Sequence, residues 1–193
     1  MLSNRQIRSQ ARCALGGLFQ RPWLMGVAVA FIIGLILALA NSISVGFATL
    51  FLTGPLYVGL HRAFLKIARE DTVEIEDAFA GCYDFGSNLA LGIMHQIIIF
   101  LWSLLFIIPG IVKQYSFAMA YFVKSDNPSF SWRECLDESE RLMKGHRFKY
   151  FLLQLGFIGW DIVAFFVPLG LGYVWLNAYK SAASAVFYDE LQR

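Results

Sequence analysis

The sequence predicts an all-α fold, a polytopic transmembrane helical bundle of six spans in three hairpins, with amphipathic interfacial helices on the cytoplasmic side. Three observations carry that reading. The composition is 58% hydrophobic and 16% charged, with a mean hydropathy of +0.56 over 193 residues; a soluble domain has closer to a quarter charged residues. The apolar runs come in pairs joined by short, uncharged turns. The charges collect in the alternate connections. This composition argues against a nucleic-acid binder, a disordered chain and a disulfide-stapled secreted domain, and the net charge of +2 is too small to imply a polyanionic partner.

Taken in order, the chain opens with an amphipathic stretch, 4–16, whose Ile7, Ala11, Ala14 and Leu15 share one face with Leu18 just beyond it. Arg5, Arg8, Arg12 and Arg21 precede the apolar run Pro22–Ala40. That run is longer than the apolar part of a signal peptide, and no A-x-A site clearly follows it, so it reads as a retained span. The second span runs from Ser44 to about Leu65 and the third from Ser87 to Ile107. The fourth, Gly110–Val123, is short. The fifth and sixth are Tyr150–Val167 and Gly170–Tyr188. The hairpins are thus 22–65, 87–123 and 150–188, within a single domain, 1–193. Their turns are Asn41-Ser42, Pro109-Gly110 and Pro168-Leu169-Gly170, where Pro and Gly stop one helix and redirect the chain.

The remaining connections are long and charged. One holds His61, Arg62, Lys66, Arg69 and the acidic run to Asp84; the other runs from Lys124 to Lys149. Basic residues beside spans stay in the cytoplasm. Both termini and both charged connections therefore belong inside, and the outer face is three bare turns. Recognition by such a chain takes place in the bilayer or on the cytoplasmic side.

The second charged connection carries a strong helix signal at 131–144. Ser131-x-x-Glu134 has the form of a capping box, Gly145 suits the residue after the C-cap, and Arg133/Asp137, Asp137/Arg141 and Glu140/Lys144 are i,i+4 pairs. Trp132, Cys135, Leu136, Ser139, Leu142 and Met143 share the apolar face. A weaker copy at 73–83 aligns Ile75, Ala78, Phe79, Cys82 and Tyr83. With 4–16, these suggest a loose threefold repeat of amphipathic helix, glycine and hairpin. Their apolar faces either lie on the membrane, or plug the inner end of the bundle, or dock a cytoplasmic partner. Trp132, Leu136, Leu142 and Met143 are the candidate docking residues.

A charge inside the bilayer is costly and therefore a functional candidate. Lys113, Asp161 and Lys180 qualify, and Lys113 and Asp161 are expected at comparable depth near the outer side. An Asp161 pair with Lys113 or with Lys180 is the expectation. His95, Gln96, Gln114, Gln154 and Asn177 add polar groups, with His95 read as an interhelical hydrogen-bonder or a proton relay. Gly26, Gly34, Gly46, Gly54, Gly59, Gly92, Gly156 and Gly159 permit close helix contact. Enzyme motifs are absent: no H-E-x-x-H, G-x-S-x-G, P-loop or G-x-G-x-x-G occurs. The three cysteines, Cys13, Cys82 and Cys135, are too far apart in sequence for a metal cluster. No cofactor is expected.

Several runs resemble a known family. Leu101-Trp102-Ser103-Leu104-Leu105-Phe106-Ile107-Ile108-Pro109-Gly110-Ile111-Val112-Lys113 is followed in order by Asp126-Asn127-Pro128, Ser139-Glu140-Arg141-Leu142-Met143-Lys144-Gly145 and Phe157-Ile158-Gly159-Trp160. Ala178-Tyr179 and Phe187-Tyr188 fit more loosely, and Asn4-Arg5-Gln6-Ile7-Arg8 and Gly54-Pro55-Leu56 also match. This ordered set is similar to the domain-of-unknown-function 975 family and covers nearly the whole chain. The resemblance implies a bacterial polytopic protein of the cytoplasmic membrane, most often from Gram-positive organisms, with no established activity. Ala178 stands where the family usually has Pro, and Gly156 where it has Ser. Lys113 matches a family position, whereas Asp161 and Lys180 lie in no motif of it.

The expected function is non-enzymatic: binding a lipid, an amphipathic peptide or a partner membrane protein, with no nucleic acid. A homo-oligomer is compatible with it. The alternative is a small-solute or ion transporter or channel using the intramembrane charges. A transporter needs polar residues converging on one interior path; a binding module does not.

Overall fold

A computed structural model describes residues 3–15, 21–44, 47–69, 71–105, 107–161 and 171–192, and every described element is helical. In chain order they are α1 (Asn4–Leu15), α2 (Arg21–Ser44), α3 (Phe47–Ala68), α4 (Ile75–Ala78) with a 3₁₀ turn at Ala80–Cys82, α5 (Phe85–Leu105), α6 (Ile107–Ser116), α7 (Ala120–Asp126), α8 (Trp132–Met143), α9 (Arg147–Leu155) and α10 (Leu171–Gln192). Residues 158–161 add one further helical turn.

The long helix α3 is the hub. It packs against α2, α5, α7 and α10, and the 75–82 segment lies across it. Small residues make this possible. A Cβ on Gly54 would strike the carbonyl oxygen of Asn88, and one on Gly59 would strike that of Ala78, so the backbones of α5 and α4 lie directly on α3. Gly92 meets Gly54 in the same contact. Gly34 and Gly159 have open space where a side chain would stand, so these two permit no close packing among the described residues.

The main core joins both ends of the chain. Ile7, Ala11 and Leu15 of α1 are sealed against a cluster that includes Phe64, Phe122, Met143, Ala182 and Tyr188. A smaller cluster of Val29, Ile33, Leu56, Ala63 and Ala78 binds α2 to α3 and α4. At one end of the bundle Arg69 reaches Asp126 (2.9 Å) and Asp189 (2.9 Å), so the ends of α3, α7 and α10 meet.

Among the described residues one helix, Phe85–Leu104 within α5, is long and apolar enough to cross a membrane, and Leu24–Leu39 is a shorter apolar stretch. The expected fourth span, 110–123, is not one helix. It breaks at 117–119 into α6 and α7, and the hydroxyl of Ser139 bridges the break by accepting from Met119 N and donating to Ser116 O. The turns also shift. α2 runs through Asn41 and Ser42 to Ser44, and Pro109 and Gly110 lie in the first turn of α6. Proline is tolerated there because first-turn N–H groups have no intrahelical partner anyway. The second hairpin itself is present, since Gly110 packs directly on Ser103. Pro168 and Gly170 lie outside the described residues.

Two amphipathic segments, α1 and α8, seal their apolar faces in the main core. α8 keeps its capping box, with Ser131 N donating to Glu134 Oε2 (2.6 Å), and Gly145 has a positive φ of 84° just after the helix. Its apolar face belongs to the core: Leu136 and Met143 are sealed, and Trp132 and Leu142 pack against the same cluster. The docking face expected from those four residues is therefore occupied by the chain itself. The 73–83 copy differs. Only its first turn is α-helical, and Ile75, Phe79 and Tyr83 remain exposed. This weakens the threefold repeat at its middle unit.

Candidate functional site

The candidate site is a cavity of about 450 Å³ bounded by α3, α5, α6, α7 and α9. Helical spacing builds each wall. Thr53, Tyr57 and His61 recur every fourth residue on α3. His95, Gln96 and Ile99 face them from α5. Gln114 and Tyr115 come from α6, Ala118 from the break, Tyr121 from α7, and Tyr150 and Gln154 from α9. The break at 117–119 lets Gln114 and Tyr121 contribute to the same wall. No carboxylate, ammonium or guanidinium lines this space.

The aromatic rings form one connected patch. Tyr121 lies 5.6 Å from Tyr57, 5.5 Å from His61 and 5.2 Å from His95, centroid to centroid. His61 also meets Phe122 edge-on at 4.4 Å. His61 Nδ1 donates to the Tyr57 carbonyl at 2.6 Å, which leaves Nε2 for another partner. The Nδ1 of His95 is sealed from solvent and has no hydrogen-bond partner among the described residues. Such a group costs about 1–3 kcal/mol if it stays unsatisfied. Gln154 Nε2 donates to Tyr150 Oη (2.9 Å), which lies 3.1 Å from Ser184 Oγ. Gln96, Gln114 and Tyr57 reach the surface, and around them Ile97, Phe100, Ile111, Phe151 and Leu155 are exposed. The cavity is thus a polar recess in an apolar surface.

The charges expected inside the membrane lie apart from it. Lys180 Nζ pairs with both oxygens of Asp161 at 2.6 and 2.9 Å, one of the two expected pairings. Lys113 does not reach Asp161. It binds Glu140 of α8 at 2.9 and 2.8 Å, over the rings of Trp102 and Phe117, and Arg147 closes on the same carboxylate at 3.1 Å. Helix α8 packs against α5, α6 and α7, and this brings Glu140 to Lys113. Both bonds hold the Glu140 carboxyl below its ordinary range, Lys113 chiefly. Arg141, expected to pair with Asp137, forks onto Glu138 instead.

Four expected polar residues, His95, Gln96, Gln114 and Gln154, come together in the cavity; Asn177 is exposed on α10. The tyrosines and His61 were missed. Their signal was the i,i+4 spacing of Tyr57 with His61 and of Tyr150 with Gln154, hidden because His61 reads as the start of a charged loop. No cluster of three or more His, Cys, Asp or Glu that could hold a metal occurs among the described residues. Cys135 is buried in the core, and burial pushes its thiol up to about 11.

A family model described as "Protein of unknown function (DUF975)" matches residues 1–120 and 105–193. No curated protein and no solved structure matches the chain.

Proposed function

The chain belongs to the domain-of-unknown-function 975 family, and from that premise, which carries no activity, we propose that it is a non-enzymatic multi-pass membrane protein. We infer that it binds an amphipathic, lipid-like molecule with an uncharged head. The observation that carries this is the recess itself. Three glutamines, two histidines and four tyrosines supply hydrogen bonds and ring faces without a single fixed charge, and the surface around the opening is apolar. An uncharged, hydrogen-bonding head fits the recess, and an alkyl chain fits its rim. The lining holds no serine, cysteine or carboxylate. In this reading the six apolar limbs enter the bilayer of a bacterial cytoplasmic membrane as three hairpins, with both termini in the cytoplasm. The gathering of charged ends around Arg69 supports that orientation. The α6 limb is the shortest, since only roughly 10 Å of helix separates Ile107 from Lys113.

The test is native mass spectrometry of the chain extracted gently from its own membrane. A retained uncharged amphiphile that is lost in Gln114→Ala and Gln154→Ala supports the proposal. A chain that carries none removes it. The convergence of polar side chains from three walls on one space favours a second reading, a small-solute transporter. That reading predicts flux of an uncharged solute in proteoliposomes, abolished by the same two substitutions.

A further inference from the structure

A second surface lies outside the cavity, on α1. Arg5, Arg8 and Arg12 follow one another at i, i+3 and i+7 and, with Gln6 and Ser9, line a concavity of about 490 Å³. No acidic residue occurs in α1. The opposite face of the helix, Ile7, Ala11 and Leu15, is sealed in the core at 0–2% exposure, so the arginines project from a fixed backbone. Two of them are steered further. Arg12 Nε donates to Tyr179 Oη at 3.2 Å, and Arg8 Nε donates to the Asn4 carbonyl at 3.3 Å. These bonds use Nε and leave the terminal guanidinium nitrogens to other partners.

The neighbouring helix is apolar on its exposed side. Asn4 Nδ2 donates to the Lys149 carbonyl at 3.3 Å, and the Arg8 guanidinium lies over Gly156, so α1 and α9 run side by side. Along α9 and just beyond it Phe148 (69%), Leu152 (40%), Leu155 (45%) and Ile158 (49%) are exposed. A row of guanidinium groups beside an exposed apolar strip has two demands that one molecule meets: a phosphate on the arginines and hydrocarbon on the strip. Free phosphate would leave the strip uncovered. An acidic peptide would leave it uncovered as well unless it carried matched apolar residues.

We propose that α1 and α9 together form a binding site for an anionic phospholipid, its phosphate held by Arg5, Arg8 and Arg12 and its acyl chains laid along Phe148, Leu152, Leu155 and Ile158. The phosphate-binding arginines are separate from the cavity, and no residue that lines the cavity takes part in the site; the two share only Leu155 at the cavity's rim.

The full chain, delipidated in neutral detergent, is given equal amounts of phosphatidylglycerol and phosphatidylcholine, and the adducts are counted by native mass spectrometry. The wild type retains phosphatidylglycerol in preference, by about tenfold. The combined variant Arg5→Gln, Arg8→Gln, Arg12→Gln loses that preference. A charge-matched control on α8, Arg133→Gln, Arg141→Gln, Lys144→Gln, keeps it. If the α1 variant does not fold, Arg5→Gln alone, which leaves the Tyr179 and Asn4 bonds in place, still lowers the preference several-fold. An unchanged ratio in the α1 variants, or an equal loss in the α8 control, overturns the proposal. Glycerol phosphate in large excess leaves the lipid adduct in place. Displacement by it would make this a phosphate site and overturn the assignment to a lipid.

Discussion

Lys113 of α6 and Glu140 of α8 form a two-pronged ion pair, with Nζ 2.9 and 2.8 Å from the two carboxylate oxygens. The pair ties α8 to α6, and Arg147 at the start of α9 shares the same carboxylate. The Glu140 carboxyl is held low by Lys113 first, against some desolvation, with Arg147 adding to it. A carboxyl whose folded pKa is depressed contributes stability above its unfolded value and loses it as pH falls through the folded one. The thermal midpoint of the wild type should therefore drop on acidification below about pH 5, and in Glu140→Gln that part of the drop should vanish. Both side chains are partly exposed, so the contribution at neutral pH is about 0.5–1 kcal/mol. Melting curves of the two proteins from pH 3 to 7 check this. Parallel curves would show that the pair contributes nothing.

Gly54 and Gly34 give a matched test of close packing. A Cβ on Gly54 meets the backbone oxygen of Asn88, and backbone cannot step aside as a side-chain tip can. Gly54→Ala should cost about 1–3 kcal/mol, the scale of overpacking. Gly34 has open space, so Gly34→Ala should be neutral or stabilising by up to about 1 kcal/mol from helix propensity alone. Thermal unfolding in one detergent checks both. Equal effects at the two positions would contradict the α3–α5 contact.

The legible features were those set by local rules. The all-helical class came from composition and period, the α8 boundaries from the capping box and Gly145, and the close α3–α5 approach from the small residues at Gly54 and Gly92. What failed depends on neighbours distant in sequence. The face of α8 with Trp132, Leu136, Leu142 and Met143 has the same pattern whether it covers lipid, a partner or its own core, and only the packing of α5 and α7 decides. Of the two pairings open to Asp161 the Lys180 one formed, and Glu140 as the partner of Lys113 was not legible because helical rise gives spacing along one helix but not which helix of a distant segment packs beside it. The cavity was half legible: Gln96, Gln114, Gln154 and His95 stood out as polar residues in apolar runs. Tyr57, Tyr121 and Tyr150 did not, because a tyrosine in such a run looks like any core aromatic.

The Asp161–Lys180 pair belongs to neither surface assigned here to a ligand, so its role is expected to be in assembly. The Lys180 carbonyl also accepts from Ser184 Oγ, which lies against Tyr150 Oη on the cavity's α9 wall. Asp161→Asn and Lys180→Met should each destabilise, and the double variant should recover part of the loss, with a coupling of about 1 kcal/mol. Ligand retention should stay within about twofold of wild type in all three, which is less than 0.5 kcal/mol. A double-mutant cycle on thermal midpoints checks the coupling. Strict additivity of the two losses would remove the pair from the account.

His95 separates binding from stability. Its Nδ1 is sealed, with no described partner, beside Tyr121 and Phe117. A residue kept for structure alone would weaken the fold when replaced. A residue kept for a ligand carries an unmet hydrogen bond in the empty protein, and an apolar side chain of similar size removes that cost. His95→Leu should therefore leave the ligand-free chain as stable as wild type, or up to about 1 kcal/mol more so. The retained amphiphile should bind about 5–10-fold more weakly, the loss of one hydrogen bond. His61→Leu should behave differently, since His61 bonds the Tyr57 carbonyl and its loss removes a bond already made. Thermal midpoints with and without the extracted ligand check both variants. A destabilised, ligand-free His95→Leu together with unchanged retention would make His95 a packing residue and leave the cavity without its main ligand contact.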